Sequence, residues 1–211
     1  MKRTKLTTAL LMLLALGMGI TGTVAYYSSK ETVTNKFTVG EVKIDVTEPK
    51  WDEADDDNGN GIPDVAEDFL PTRTVDKDPT ITNTGNNDAY VYFEVVVPTA
   101  DGIVLSDENG NRLPAADDVE LWTFEVKEGW TLLSKTQNDN NTVTYVYHAN
   151  EVLAKDESIT LFDTVTMANV IEGQGLEDTT QEIVVTGLAV QTENTGTVVE
   201  AYNTFFKNRN N

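Results

Sequence analysis

The chain has 211 residues, 35 Asp and Glu against 15 Lys and Arg, a formal charge of −20 and no cysteine. That balance excludes nucleic-acid binding, which needs a positive face for phosphates, and it disfavours docking on bare anionic lipid. Without a thiol there is no disulfide framework and no thiol-linked lipid, so stability must come from a core and from bound ions.

Lys2, Arg3 and Lys5 precede an apolar run from Leu6 to Ile20, followed by Thr21-Gly22-Thr23-Val24-Ala25. A basic start, an apolar centre and a small-residue exit predict a cleavable signal peptide over residues 1–25, cut between Ala25 and Tyr26. A permanent anchor is the competing reading, but the run is at the short end for a span of about 20 residues. Cleavage removes three cations, leaving 12 Lys and Arg against 35 Asp and Glu, a charge of −23. No second apolar span follows, so the mature protein is expected to be secreted and free of the membrane.

Residues 26–40 form a polar, β-prone arm, and residues 41–206 suit one domain with one core. Val42, Ile44 and Val46 alternate with Lys43 and Asp45, as in a half-buried strand. Thr80 to Thr84 predicts a second strand, closed by Gly85-Asn86-Asn87-Asp88. Tyr90 to Val97 is the strongest, rich in β-branched and aromatic residues, with Pro98 expected to end it. Leu121 to Lys127 places Trp122, Phe124 and Val126 on one face. Trp130–Lys135 and Thr142–Tyr147 flank Asn138-Asp139-Asn140-Asn141, a hairpin turn. Ser158 to Met167 and Ile183 to Gln191 complete the set. The predicted class is all-β, a jelly-roll or immunoglobulin-type β-sandwich. Thr197-Val198-Val199-Glu200 fits a capping box, and Val198, Ala201, Tyr202 and Phe205 recur at helical spacing, so a short C-terminal helix is expected. Residues 207–211 form a polar tail.

The acidic segment at 55–67 carries the clearest chemistry. With Asp56 at position one, Asn58 is three, Asn60 five, Gly61 six, Asp64 nine and Glu67 twelve. This satisfies the D-x-[DN]-x-[DN]-G-x5-E calcium loop. Calcium takes six to eight hard oxygens, so short oxygen-bearing side chains must alternate inward around a glycine turn. Asp56, Asn58, Asn60, the Ile62 carbonyl, Asp64 and Glu67 are the candidate ligands for a structural Ca2+. The flanking helices of an EF-hand are not predicted, and Pro63 stands where a hydrophobic strand residue belongs. A solvated acidic linker is the plainer alternative.

Nothing in the sequence supports catalysis. His148 is the lone histidine and is expected to cap a strand edge after Tyr145-Val146-Tyr147, no zinc-protease motif or G-x-S-x-G elbow occurs, and paired carboxylates arise by chance at this acidity. The expectation is a protein that is not an enzyme.

Several segments together resemble the TasA/camelysin family of secreted matrix proteins of Gram-positive bacteria. These are Gly22-Thr23-Val24-Ala25-Tyr26-Tyr27, Glu31-Thr32, Asn35 to Gly40, Lys77-Asp78-Pro79, Ile81 to Gly85, Asp88 to Val91, Leu161-Phe162 and Ala189-Val190-Gln191. The resemblance implies a jelly-roll subunit of extracellular biofilm fibres, processed by a dedicated signal peptidase. It implies head-to-tail assembly in which the arm adds as a strand to the next subunit, with Tyr26, Tyr27, Val33, Phe37 and Val39 as its apolar members. Self is then the main partner, with other matrix proteins beside it. Metalloprotease activity described in that family is not carried over, because its ligand set is missing. The alternative function is a monomeric secreted or surface binding module, an adhesin gripping glycan or protein through Trp51, Trp122 or Trp130.

Overall fold

The computed structural model describes residues 41–67, 69–177 and 179–207. The signal segment, its cleavage site at Ala25 and Tyr26, and the arm residues Tyr26, Tyr27, Val33, Phe37 and Val39 lie outside them.

Among the described residues eleven strand segments make up the fold. They are β1 (Ile44–Thr47), β2 (Thr74–Asp76), β3 (Thr80–Asn83), β4 (Ala89–Ala100), β5 (Val119–Glu120), β6 (Trp122–Phe124), β7 (Trp130–Asn138), β8 (Thr142–Ala149), β9 (Ser158–Thr160), β10 (Thr164–Met167) and β11 (Val184–Gln191). Two short helices join them, α1 (Pro49–Asp52) and α2 (Val198–Phe205). All the ladders are antiparallel.

The strand order decides between the two topologies left open by sequence. β2 and β3 are one strand interrupted at Lys77-Asp78-Pro79, and β9 and β10 are one strand interrupted at Leu161-Phe162-Asp163. Bonds from Lys77 N–H to the Asp163 carbonyl (3.1 Å) and from Leu161 N–H to the Pro79 carbonyl (3.0 Å) carry the pairing across the break. With β5 and β6 also taken together, there are eight strands. One sheet then runs first, second, seventh, fourth, and the other eighth, third, sixth, fifth. An immunoglobulin sheet does not pair its second strand with its seventh; a jelly roll does. The first strand sits at the seam, bonded to β3 on one side and lying against β11 on the other.

Alternation explains the two faces of β4. Ala89, Val91, Phe93, Val95 and Val97 point into the sandwich core with Ile81, Val143, Leu161 and Phe162. Tyr92 points outward, where Val146, Leu188, Ala201 and Tyr202 form a second cluster under α2. The capping box of α2 is present in full, between Thr197 and Glu200. Phe206, not the half-exposed Phe205, is the aromatic residue that packs inward, because the helix ends at Phe205 and the chain turns there.

Three expectations about elements need correction. Pro98 lies within β4 rather than ending it. Thr99 N–H bonds toward Asn141 on the β8 side and the Pro98 carbonyl accepts from Leu121 on the other. The proline nitrogen lies on that same side, past the last β11 pair at Val184 and Val96, and the Leu121 carbonyl opposite it accepts instead from Ala168 N–H (2.9 Å). The segment from Ser158 to Met167 is two strands, because Leu161 and Phe162 both turn inward and are fully buried. His148 is not at a strand edge but mid-sheet, opposite Tyr92 and Thr131.

Burial raises the hydroxyl pKa of Tyr92, with the neighbouring Tyr90 adding to the shift, and it pushes Tyr147 up to about 12, with Tyr145 and Glu120 adding to the effect. An unfolded tyrosine ionises near pH 10. Between there and about pH 12 the unfolded chain holds fewer protons than the folded one, so stability falls as pH rises. Tyrosinate absorbance and loss of tertiary signal are expected to rise together in an alkaline titration. A smooth titration near pH 10, with the fold intact, would contradict this burial.

Candidate metal loop

The acidic loop starts from a buried anchor. Pro49 opens α1 at a position where a missing N–H costs nothing. Lys50 N–H donates to Asp78 Oδ1 (2.9 Å), and Lys77 Nζ donates to both oxygens of Glu48 (2.8 and 2.7 Å). Lys77 is only 8% exposed, and its ammonium stands 5.0 Å from the centre of the Trp51 ring. At the far end, Phe69 leans on Trp122 with ring centroids 4.7 Å apart. The indole N–H of the buried Trp122 has no hydrogen-bond partner among the described residues.

Between these ends the loop bonds to itself. Asp56 Oδ1 accepts from Gly59 N–H (2.7 Å) and Asn60 N–H (3.2 Å), and its Oδ2 accepts from Gly61 N–H (2.9 Å). Gly59 and Gly61 have φ of 70° and 84°, left-handed values that glycine adopts without strain. Asn58 Oδ1 accepts from Asn60 N–H, and Asn60 Oδ1 from Ile62 N–H, so each asparagine caps the next turn of chain. Asp64 Oδ1 accepts from Asp57 N–H (3.2 Å), and Asp64 N–H donates to the Asp55 carbonyl (2.8 Å), which closes the ring. Glu67 Oε1 takes the side-chain amides of Asn58 (2.8 Å) and Asn60 (2.6 Å).

Asp56, Asn58, Asn60, Asp64 and Glu67 are thus drawn around one loop, and Ile62 sits on its rim. Among the described residues no three Asp, Glu, His or Cys side chains gather at one point as a ready metal group. Two amides stand between Asp56 and Glu67 instead. The donor set itself fits a hard cation. Three carboxylates, two amide oxygens and one carbonyl supply six oxygens, the lower bound for calcium. Pro63 is buried and opens the turn Asp64–Ala66, so it fills the apolar place that the sequence pattern left in question.

The tryptophans named for ligand binding serve the fold. Trp122 and Trp130 are buried, Trp130 Nε1 donates to the Thr160 carbonyl (3.0 Å), and Trp51 lies beneath Lys77. Sequence reasoning missed the Lys77–Glu48–Trp51 anchor, whose only local signal was a lysine next to an Asp-Pro pair.

No helix among the described residues is long and apolar enough to cross a membrane. Comparisons with protein-family models, curated proteins and solved structures give no match to the chain.

Proposed function

We propose that the chain is a secreted subunit of an extracellular-matrix fibre, of the TasA/camelysin kind, that assembles head to tail by donating its N-terminal arm, and that calcium orders its acidic loop. The observation that carries the reading is the seam of the jelly roll. β11 is bonded to β4 along its whole length, and no described strand bonds to its other edge, which faces β1. Gly187 lets Val46 of β1 lie directly against β11. An extended segment can add to such an edge through main-chain hydrogen bonds, with alternate side chains setting register.

The point where the arm joins the core is fixed. Thr84 N–H donates to the Lys43 carbonyl (2.9 Å) and Asn86 N–H to the Glu41 carbonyl (3.3 Å). Gly85 makes this approach possible, since a Cβ there would stand 2.7 Å from the Glu41 carbonyl oxygen and 2.9 Å from Lys43 N. Those are backbone atoms and cannot step aside. The variant Gly85→Ala is therefore expected to redirect residues 41–43 and to weaken assembly more than it weakens the core.

The test is negative-stain electron microscopy of the mature protein, residues 26–211, in calcium buffer. Regular filaments are expected, lost when residues 26–35 are removed and sparse in Gly85→Ala, with circular dichroism unchanged for the deletion. Dispersed particles at every concentration would overturn the self-assembling reading in favour of a monomeric binding module.

A further inference from the structure

The sandwich has a second long edge. β7 has nine residues, pairs with β8 on one side, and no described strand pairs with its other side. The remaining edges are short: β6 has three residues and β1 has four. Short or covered edges resist pairing with other chains, whereas a long bare one invites it.

β7 also projects beyond the facing sheet. Leu132, Lys135 and Gln137 share the core-side register with Tyr147, Tyr145 and Val143, yet all three are exposed, Leu132 at 48%. The strand contains no carboxylate. Its one cation is neutralised within the copy: Lys135 Nζ donates to Glu120 Oε1 (2.6 Å) and stands 5.0 Å from the Tyr145 ring centre. A chain this acidic repels its own copies, and screening weakens that repulsion beyond about 8 Å at physiological salt. Close approach is then least costly along a strand that carries no carboxylate of its own, although Gln137 Nε2 donates to Asp118 Oδ1 (2.8 Å) on its core-side face.

We propose that β7 is a lateral interface at which two copies of this chain pair antiparallel, edge to edge, about a two-fold axis near Thr136. The bulge between Leu132 and Ser134 limits regular pairing to Ser134–Asn138. An axis at Thr136 sets Thr136 opposite itself, Lys135 opposite Gln137 and Ser134 opposite Asn138. No like charges face each other, and a Thr–Thr pair is favourable. Such a contact is isologous and closes at two copies, unlike a head-to-tail contact. It joins the larger sheets of two copies into one, and between filaments it would serve as a lateral tie. It does not depend on the arm.

The test is sedimentation equilibrium of the mature chain at moderate salt, below the concentration at which filaments form. A closed dimer is expected for the wild type and for Thr186→Glu, an exposed position on β11. Thr136→Glu and Thr136→Lys should each lose the dimer, because like charges then face across the axis, and an equimolar mixture of the two should regain it. In this cysteine-free chain, Thr136→Cys should give a disulfide-linked dimer under mild oxidation. A wild-type chain that shows no closed dimer, or a Thr136→Glu chain that associates like wild type, overturns the proposal. Filaments without dimers would leave the fibre reading standing alone, and dimers without filaments the reverse.

Discussion

Replacing Asn83 by alanine is expected to destabilise the domain more than any other polar substitution. Asn83 is completely buried at the end of β3. Its amide donates to the carbonyls of Asn87 and Leu153, each at 2.9 Å, and its Oδ1 accepts from Gly85 N–H at 3.0 Å. Its backbone also bonds the loop before β9, through the Glu157 carbonyl and Asp156 N–H. Alanine abolishes three side-chain bonds and takes the acceptor from the buried Gly85 N–H, while the Leu153 carbonyl keeps Ala89 N–H, a loss of about 3–5 kcal/mol. For a domain of this size each kcal/mol shifts the melting temperature by about 2–4 °C, so a fall of roughly 10 °C is expected. Asn83→Asp should be at least as harmful, because it presents oxygens to two carbonyls. A thermal melt of both variants checks this, and a shift under about 2 °C for Asn83→Ala would mean the site is wet or readily rearranged.

Asn83 also illustrates what sequence reading captures and what it does not. Alternation placed β1, and runs of β-branched and aromatic residues between turn-forming ones placed β3, β4, β7, β8 and β11, because both signals are written in neighbouring residues. Asn83 itself reads as one more residue of the strand Thr80 to Thr84. Its role as a hub depends on Leu153 and Glu157, some 70 residues away. The interruption at Leu161–Asp163 was illegible for the opposite reason. Two successive residues turn to the core there, a pattern a uniform strand cannot show. β2 was missed because three residues carry too little periodicity, and α1 because its helical turn is held by Lys77 and Asp78 rather than by propensity.

The turns of the acidic loop were legible, since Asx turns and left-handed glycines are local devices and the pattern Asp-x-Asn-Gly-Asn-Gly spells them in order. Its attachment was not. Glu48 and Lys77 are 29 residues apart, and nothing nearby in sequence marks either as a buried partner. Topology was legible only as a pair of alternatives, because a jelly roll and an immunoglobulin sandwich use the same strands and differ in which ones meet.

Calcium is expected to raise the melting temperature of the wild-type chain and not of Glu67→Ala. Loops of this kind in extracellular modules bind with dissociation constants of about 10⁻⁴–10⁻³ M. At about 10 mM calcium a site of that strength adds roughly 1.5–2.7 kcal/mol to the folded state. That corresponds to about 3–10 °C. Glu67 is the informative residue, because without the ion it only receives two exposed side-chain amides, from Asn58 and Asn60. Removing it should leave the calcium-free melt nearly unchanged and abolish the response. Asp56→Ala should behave differently. Its carboxylate holds three successive amides, at Gly59, Asn60 and Gly61, so the loop should loosen with or without the ion. Magnesium should substitute poorly, since it demands near-octahedral geometry and sheds water reluctantly. Trp51 and Trp122 stand at the two ends of the loop, so their fluorescence should follow the same calcium titration. A wild-type melt unmoved by about 10 mM calcium would sink the ligand reading. The loop would then be a self-bonded acidic strap, with Asp56 as its clasp and the Lys77–Glu48 anchor as its hold on the sandwich.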